Sequence, residues 1–218
     1  MRAVHLGVSL LAGLVLAGAA SATQQSDTQL YSIAVPTSNY AVPVSQFDDM
    51  GGTRVLNWIS LELTSNIGAK TTGENDSASP GSLTMNLSGN ATATVQTLST
   101  GAIVNTSAGP QSVSATDGNT GSGPDYFDFG TVSGSDLDTD TIVSGFAPFI
   151  GLGTINVLVS ANGGFNISGV SNSTLHVSDF GADGHVKITY DYNTVPEPTT
   201  LGLLSLCGLA MLRRRRRR

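Results

Sequence analysis

The strongest constraint on the fold is an alternation with a period of two residues. In HVKITYDYN, Val186, Ile188, Tyr190 and Tyr192 fall on one face while Lys187, Thr189 and Asp191 fall on the other. That is a strand with one buried and one wet face. GTINVLVSANG sets Ile155, Val157 and Val159 against Thr154, Asn156 and Ser160, with Leu158 interrupting the polar side. SLTMNLSGNATATV reads as Leu83, Met85 and Leu87, a turn or bulge near Gly89-Asn90, then Ala91, Ala93 and Val95. RVLNWISLELT puts Ile59, Leu61 and Leu63 on one side and Leu56 and Trp58 on the other, with Trp58 expected as a core or core-edge ring. Runs of Leu, Glu, Lys or Ala at helical spacing are missing.

Turn-forming clusters separate these runs: Asp48-Asp49-Met50-Gly51-Gly52, Gly73-Glu74-Asn75-Asp76, Thr116-Asp117-Gly118-Asn119, Asn162-Gly163-Gly164 and Ala182-Asp183-Gly184. Many short strands with such turns predict an all-β chain, an antiparallel β-sandwich. One helical interruption is expected, in Asp138–Gly151, held to a turn or two by Pro148 and the glycines.

Charge is distributed unevenly. The whole chain carries a formal −6, but residues 23–194 hold only Arg54, Lys70 and Lys187 against fifteen carboxylates, a net of −12. An acidic body of this kind excludes nucleic acid as a partner, since phosphate binding needs clustered Lys and Arg. The single cysteine, Cys207, lies outside that body, so no disulfide can staple it.

Motifs for catalysis are missing: there is no G-x-S-x-G elbow, phosphate-binding loop, H-E-x-x-H or cysteine pair, so no catalytic residue and no cofactor are assigned. His176 and His185, with Asp179 and Asp183 nearby, are read as strand-surface or turn-edge groups. Asp136, Asp138 and Asp140 have the spacing that opens a calcium loop, but Thr141 stands where the glycine belongs and Ala147 where the bidentate Glu belongs. A solvated acidic loop is therefore expected, with calcium as the alternative. Six N-x-[ST] triplets occur, at Asn75, Asn86, Asn90, Asn105, Asn166 and Asn172, a number that the Asn, Ser and Thr content explains.

The two ends read as export signals. MRAVHLGVSLLAGLVLAGAASA has a cation at Arg2, an apolar run from about Leu6 to Ala19 and the small-residue site Ala20-Ser21-Ala22, the layout of a secretory signal peptide cut after Ala22. At the other end, Val195-Pro196-Glu197-Pro198 precedes an apolar run, Leu201–Leu212, and the block Arg213, Arg214, Arg215, Arg216, Arg217 and Arg218. Twelve residues make roughly 18 Å of helix against a hydrocarbon core of about 30 Å, so only a thin, snorkelling transmembrane helix can form. The arginines would stay on the cytoplasmic side. Cys207 is read as a small membrane-buried side chain.

Those three parts in that order resemble the PEP-CTERM sorting signal of Gram-negative bacteria. The resemblance implies transient residence in the inner membrane and processing by an exosortase, after export through the Sec translocon and signal peptidase. The body also resembles the choice-of-anchor E domain, through VSQFDDMGGTRVLNWISLELT, TVSGSDLDTDTIVSGFAPFIGLGTINVLVSANG and a last strand that runs straight into VPEP. That likeness covers roughly 44–194 and supplies no active residue. The expected organisation is thus a signal peptide (1–22), a β-sandwich (23–194) and a sorting signal (195–218). The expected function is that of an exported surface or extracellular-matrix structural protein with exopolysaccharide as a partner; the alternative is a carbohydrate- or calcium-dependent adhesion module.

Overall fold

The computed structural model describes residues 22–195. The expected signal-peptide core with Ala20, the residues Pro196, Glu197 and Pro198, the short apolar helix and the arginine block lie outside those residues. Within them the chain is all-β. Eight strands follow one another: β1 (Ala22–Ala34), β2 (Thr37–Ser45), β3 (Arg54–Asn75), β4 (Gly81–Val95), β5 (Leu98–Val113), β6 (Tyr126–Ile142), β7 (Thr154–Ser168) and β8 (Ser173–Thr194). Asp138–Ile142 belong to β6, and the expected helix shrinks to one 3-10 turn, Ala147–Phe149.

The first sheet has the order β1-β8-β3-β6 and the second β2-β7-β4-β5, all pairs antiparallel. The outermost partners nest: β1 with β8, β2 with β7, β3 with β6 and β4 with β5. A long antiparallel ribbon rolled so that its successive pairs alternate between two sheets gives this order, which is a jelly roll. Leu61, Leu63, Val186 and Ile188 of the first sheet meet Leu87, Ala93, Val157 and Val159 of the second in one buried core.

The strands are longer than the turn signals suggest. β3 and β8 each have 22 residues, roughly 70 Å at about 3.3 Å per residue, against a usual three to ten. Gly89-Asn90, Asn162-Gly163-Gly164 and Ala182-Asp183-Gly184, expected as turns or a bulge, all run straight through β4, β7 and β8. Gly89, Gly163 and Gly184 serve close approach instead. Gly89 and Gly163 pair across β4 and β7, and a Cβ on Gly163 would sit 2.9 Å from Gly89 Cα. A Cβ on Gly89 would sit 3.3 Å from the Ile67 side chain of the opposing sheet. Ile67 thus packs over Gly89, and the Phe180 ring comes within 3.3 Å of where a Gly163 Cβ would sit.

Leu56 also departs from its expected face. The β3–β8 register shifts between Leu56 and Trp58, so Leu56 joins Ile59, Leu61 and Leu63 in the core while Trp58 stays half-buried.

Candidate functional site

The described chain enters and leaves at one end of the sandwich. Ala22 opens β1 opposite Asn193 of β8, and Thr194 closes β8 opposite Arg54 of β3. Val195 is still held, its N–H donating to Thr53 O at 2.8 Å. The strand that runs into the Pro-Glu-Pro motif is therefore interior, flanked on both sides. Its root is packed as well as paired. The Phe47 ring lies 5.1 Å from that of Tyr192 and 5.5 Å from that of Tyr190, and the Arg54 guanidinium sits 5.2 Å over the Tyr192 ring. Asn193 Nδ2 donates to Asn57 Oδ1 at 3.0 Å, and Asn57 Nδ2 to Asp191 Oδ2 at 2.8 Å. Tyr190 donates its hydroxyl to Ser45 O at 2.8 Å, and burial, with the Asp27 charge behind it, pushes its phenol far up. The body thus offers the tail from a fixed point.

The second notable surface is the outer face of the second sheet. None of β2, β4, β5 and β7 contains an Asp, Glu, Lys, Arg or His. Every such side chain that lies in a strand is on the first sheet. Facing out from the second sheet are amides and hydroxyls. Asn86 stands between Ser107 and Asn166, and Ser88 between Asn105 and Gly164. These six residues line a groove of about 610 Å³. Gly164 makes it deeper, since a Cβ there would meet nothing within 4 Å. Four of the six N-x-[ST] triplets, at Asn86, Asn90, Asn105 and Asn166, lie in these strands, because residues i and i+2 share one face of a strand. Asn75 is different: it is buried, and its amide donates to Ser79 O and Ser114 O.

Asp136, Asp138 and Asp140 are placed in a strand, not the expected loop, and their role is one the spacing argument missed. They alternate along β6, an edge strand of the first sheet, and reach across to β5, an edge strand of the second. Asp136 accepts from Ile103 N at 2.8 Å, Asp138 from Gly101 N at 2.9 Å and Thr100 Oγ1 at 2.8 Å, and Asp140 from Ser99 N at 2.9 Å. The Gly101 N–H, then the Thr100 hydroxyl, hold the Asp138 carboxyl below its ordinary value. On the other side, Asp27 of β1 accepts from Ser45 N of β2 at 2.7 Å. Burial acts to raise the Asp27 carboxyl, but the Ser45 and Gln29 donors outweigh it and the net shift is down. Inward-pointing carboxylates that occupy edge donors are a known guard against edge-to-edge pairing.

The histidines do not converge. His176 and His185 lie nine residues apart along β8, roughly 30 Å at about 3.3 Å per residue. His185 Nε2 lies 3.5 Å from Glu62 Oε1, Asp179 pairs with Lys70 at 2.8 Å, and Asp183 accepts from Asn66 at 3.2 Å. Among the described residues no three His, Cys, Asp or Glu side chains form a group that could hold a metal ion, and no helix is long and apolar enough to cross a membrane.

Residues 194–218 match the PEP-CTERM protein-sorting motif. No curated protein matches the chain. Among solved structures it is similar to that of infectious bursal disease virus Gt strain, at 14% identity over 91% of this chain and 46% of that chain, with a TM-score of 0.12. It is likewise similar to the VP2 subviral particle of infectious bursal disease virus, at 11% identity over 99% of this chain and 54% of that chain, with a TM-score of 0.11. The chain spans about half the length of these structures. Likeness at such TM-scores carries no argument, and the fold rests on the strand pairing.

Proposed function

We propose that this chain is a non-enzymatic structural protein of the cell surface or extracellular matrix, exported through the Sec translocon and signal peptidase and processed by an exosortase. The observation that carries the reading is the sorting motif at residues 194–218, rooted on an interior strand that is still held at Val195, whose N–H donates to Thr53 O. Cleavage beyond Val195 would release a body whose sheets are already complete. The choice-of-anchor E-like assignment of that body belongs to this proposal; two antiparallel sheets suit it. A non-enzymatic role is supported by the wide separation of the two histidines along β8. Transient residence in the inner membrane follows from the apolar run and the arginine block.

Exopolysaccharide is the proposed matrix partner, and the uncharged face of the second sheet favours it over an anionic polymer. The groove over Ser88 offers amide and hydroxyl groups that can exchange hydrogen bonds with a neutral glycan without desolvating a charge. The acidic body would repel a polyanion. This is also the ground for the second reading, a carbohydrate-binding adhesion module.

Intact-mass measurement of the protein from its host, with and without the exosortase gene, tests the sorting step. A new C-terminus near Pro198 that depends on the enzyme is the expected result. A chain ending at Arg218 in both strains would reduce the tail to a membrane anchor and overturn it.

A further inference from the structure

The loop between β5 and β6 contains a carboxylate pair, Asp117 and Asp125. Asp125 is fully buried, and its Oδ1 has no hydrogen-bond partner. Its Oδ2 accepts from Asp117 N at 2.8 Å. Asp117, itself exposed, accepts from Asn119 N through Oδ1 and turns Oδ2 toward the same space. The convergence can be read at Gly123: a Cβ there would lie 2.9 Å from Asp125 Oδ1 and collide with Asp117 Oδ2. Both oxygens therefore close on one small volume that a side chain at position 123 would fill. A third carboxylate, Glu74, is 5% exposed and accepts from Gly121 N of the same loop at 2.9 Å.

A buried carboxylate oxygen facing a second carboxylate is costly unless a positive charge or a proton lies between them. Among the described residues, no Lys or Arg supplies that charge. Lys70 is engaged with Asp179, Arg54 lies over Tyr192, and Lys187 stands opposite Glu62. We propose that Asp117 Oδ2 and Asp125 Oδ1 are side-chain ligands of a hard divalent cation, calcium in the first place. The donors are oxygen only, and calcium accepts backbone carbonyls and water in its remaining positions, so two carboxylates in a glycine-containing loop are enough to begin a site. The site is separate from Asp136, Asp138 and Asp140, whose oxygens meet β5 donors. Its effect is to tie the loop to the end of β3, where Asn75 N already donates to Asp125 O at 2.9 Å.

The test is thermal unfolding of the full chain in about 10 mM calcium chloride, in magnesium chloride and in EDTA. An extracellular-class site with Kd about 10⁻⁴–10⁻³ M raises Tm on the order of 3–10 °C. Asp117→Asn, at an exposed position, and Asp125→Asn should each abolish that rise, and Asp128→Asn, on β6 outside the pair, should keep it. A Tm indifferent to calcium in the full chain would overturn the proposal, as would retention of the full rise in Asp117→Asn. If Asp125→Asn melts higher than the parent in EDTA and neither responds to calcium, the pair holds no metal.

Discussion

Asp138 Oδ2 on β6 accepts the backbone N–H of Gly101 on β5 at 2.9 Å, although the two strands belong to different sheets and share no ladder. The same relationship repeats two residues away on either side, which turns an open flank of the sandwich into a row of charge-assisted bonds. Asp138→Ala should cost about 1 kcal/mol, less than a buried bond to a charged group because water reaches the seam. The folded carboxyl is held below its unfolded value, so its contribution is complete above that value and is lost as pH falls through the lowered one. Urea midpoints at about pH 6 and pH 3 check this: the parent should lose more stability on acidification than the Ala variant.

Removing all three carboxylates should have a second consequence. Ser99, Gly101 and Ile103 would regain free N–H groups on a long edge strand, which is a template for pairing with another copy. The triple Ala variant should aggregate with mixed-β infrared signatures under conditions where the parent stays dispersed; light scattering over time decides it.

Much of the fold was legible along the strands and little of it across them. Alternation placed Val157, Val159, Val186, Ile188 and Tyr190 correctly, since burial on one face is a local pattern. The jelly-roll order was not legible, because the pairing of β1 with β8 joins residues 147 to 171 positions apart. The turn signals misled where glycine serves packing, as at Gly89 and Gly163. The acidic triplet misled for a related reason: i, i+2 spacing suits a metal loop, and it equally puts three side chains on one face of a strand. A buried, unpartnered oxygen such as Asp125 Oδ1 leaves no trace in sequence at all.

Gly163→Ala tests the close approach of β4 and β7 at the Gly89–Gly163 pair. The new methyl would sit 2.9 Å from both Gly89 Cα and Ser88 O, inside contact distance of backbone that cannot rotate away. Overpacking of that kind should cost about 1–3 kcal/mol, read as a lower denaturant midpoint with an unchanged m-value.

Gly164→Leu, one residue further on, should behave oppositely. Its side chain enters open space, so the fold should melt within about 0.5 kcal/mol of the parent. It would nevertheless fill the groove between Asn105 and Asn166. Native gels containing a neutral glucan should retard the parent and not the variant, whereas alginate, an anionic polymer, should retard neither; equal mobility of parent and variant in the glucan would remove the groove from the account.

The root of the tail yields the last prediction. Val195 is the last described residue and still has a backbone bond to the body, and Tyr190 and Tyr192, five and three residues before it, are packed against Phe47. A chain ended after Val195 should therefore melt within about 0.5 kcal/mol of the full chain in detergent, since it keeps every core residue of the described sandwich. Ending it after Thr189 removes two buried rings and the end of an interior strand, a loss of more than about 5 kcal/mol that should leave no cooperative transition. Circular dichroism melts of the two truncations decide whether the boundary between body and sorting signal lies where the strand pairing puts it. If the chain ended after Val195 also failed to fold, processing beyond Val195 could not release a stable body.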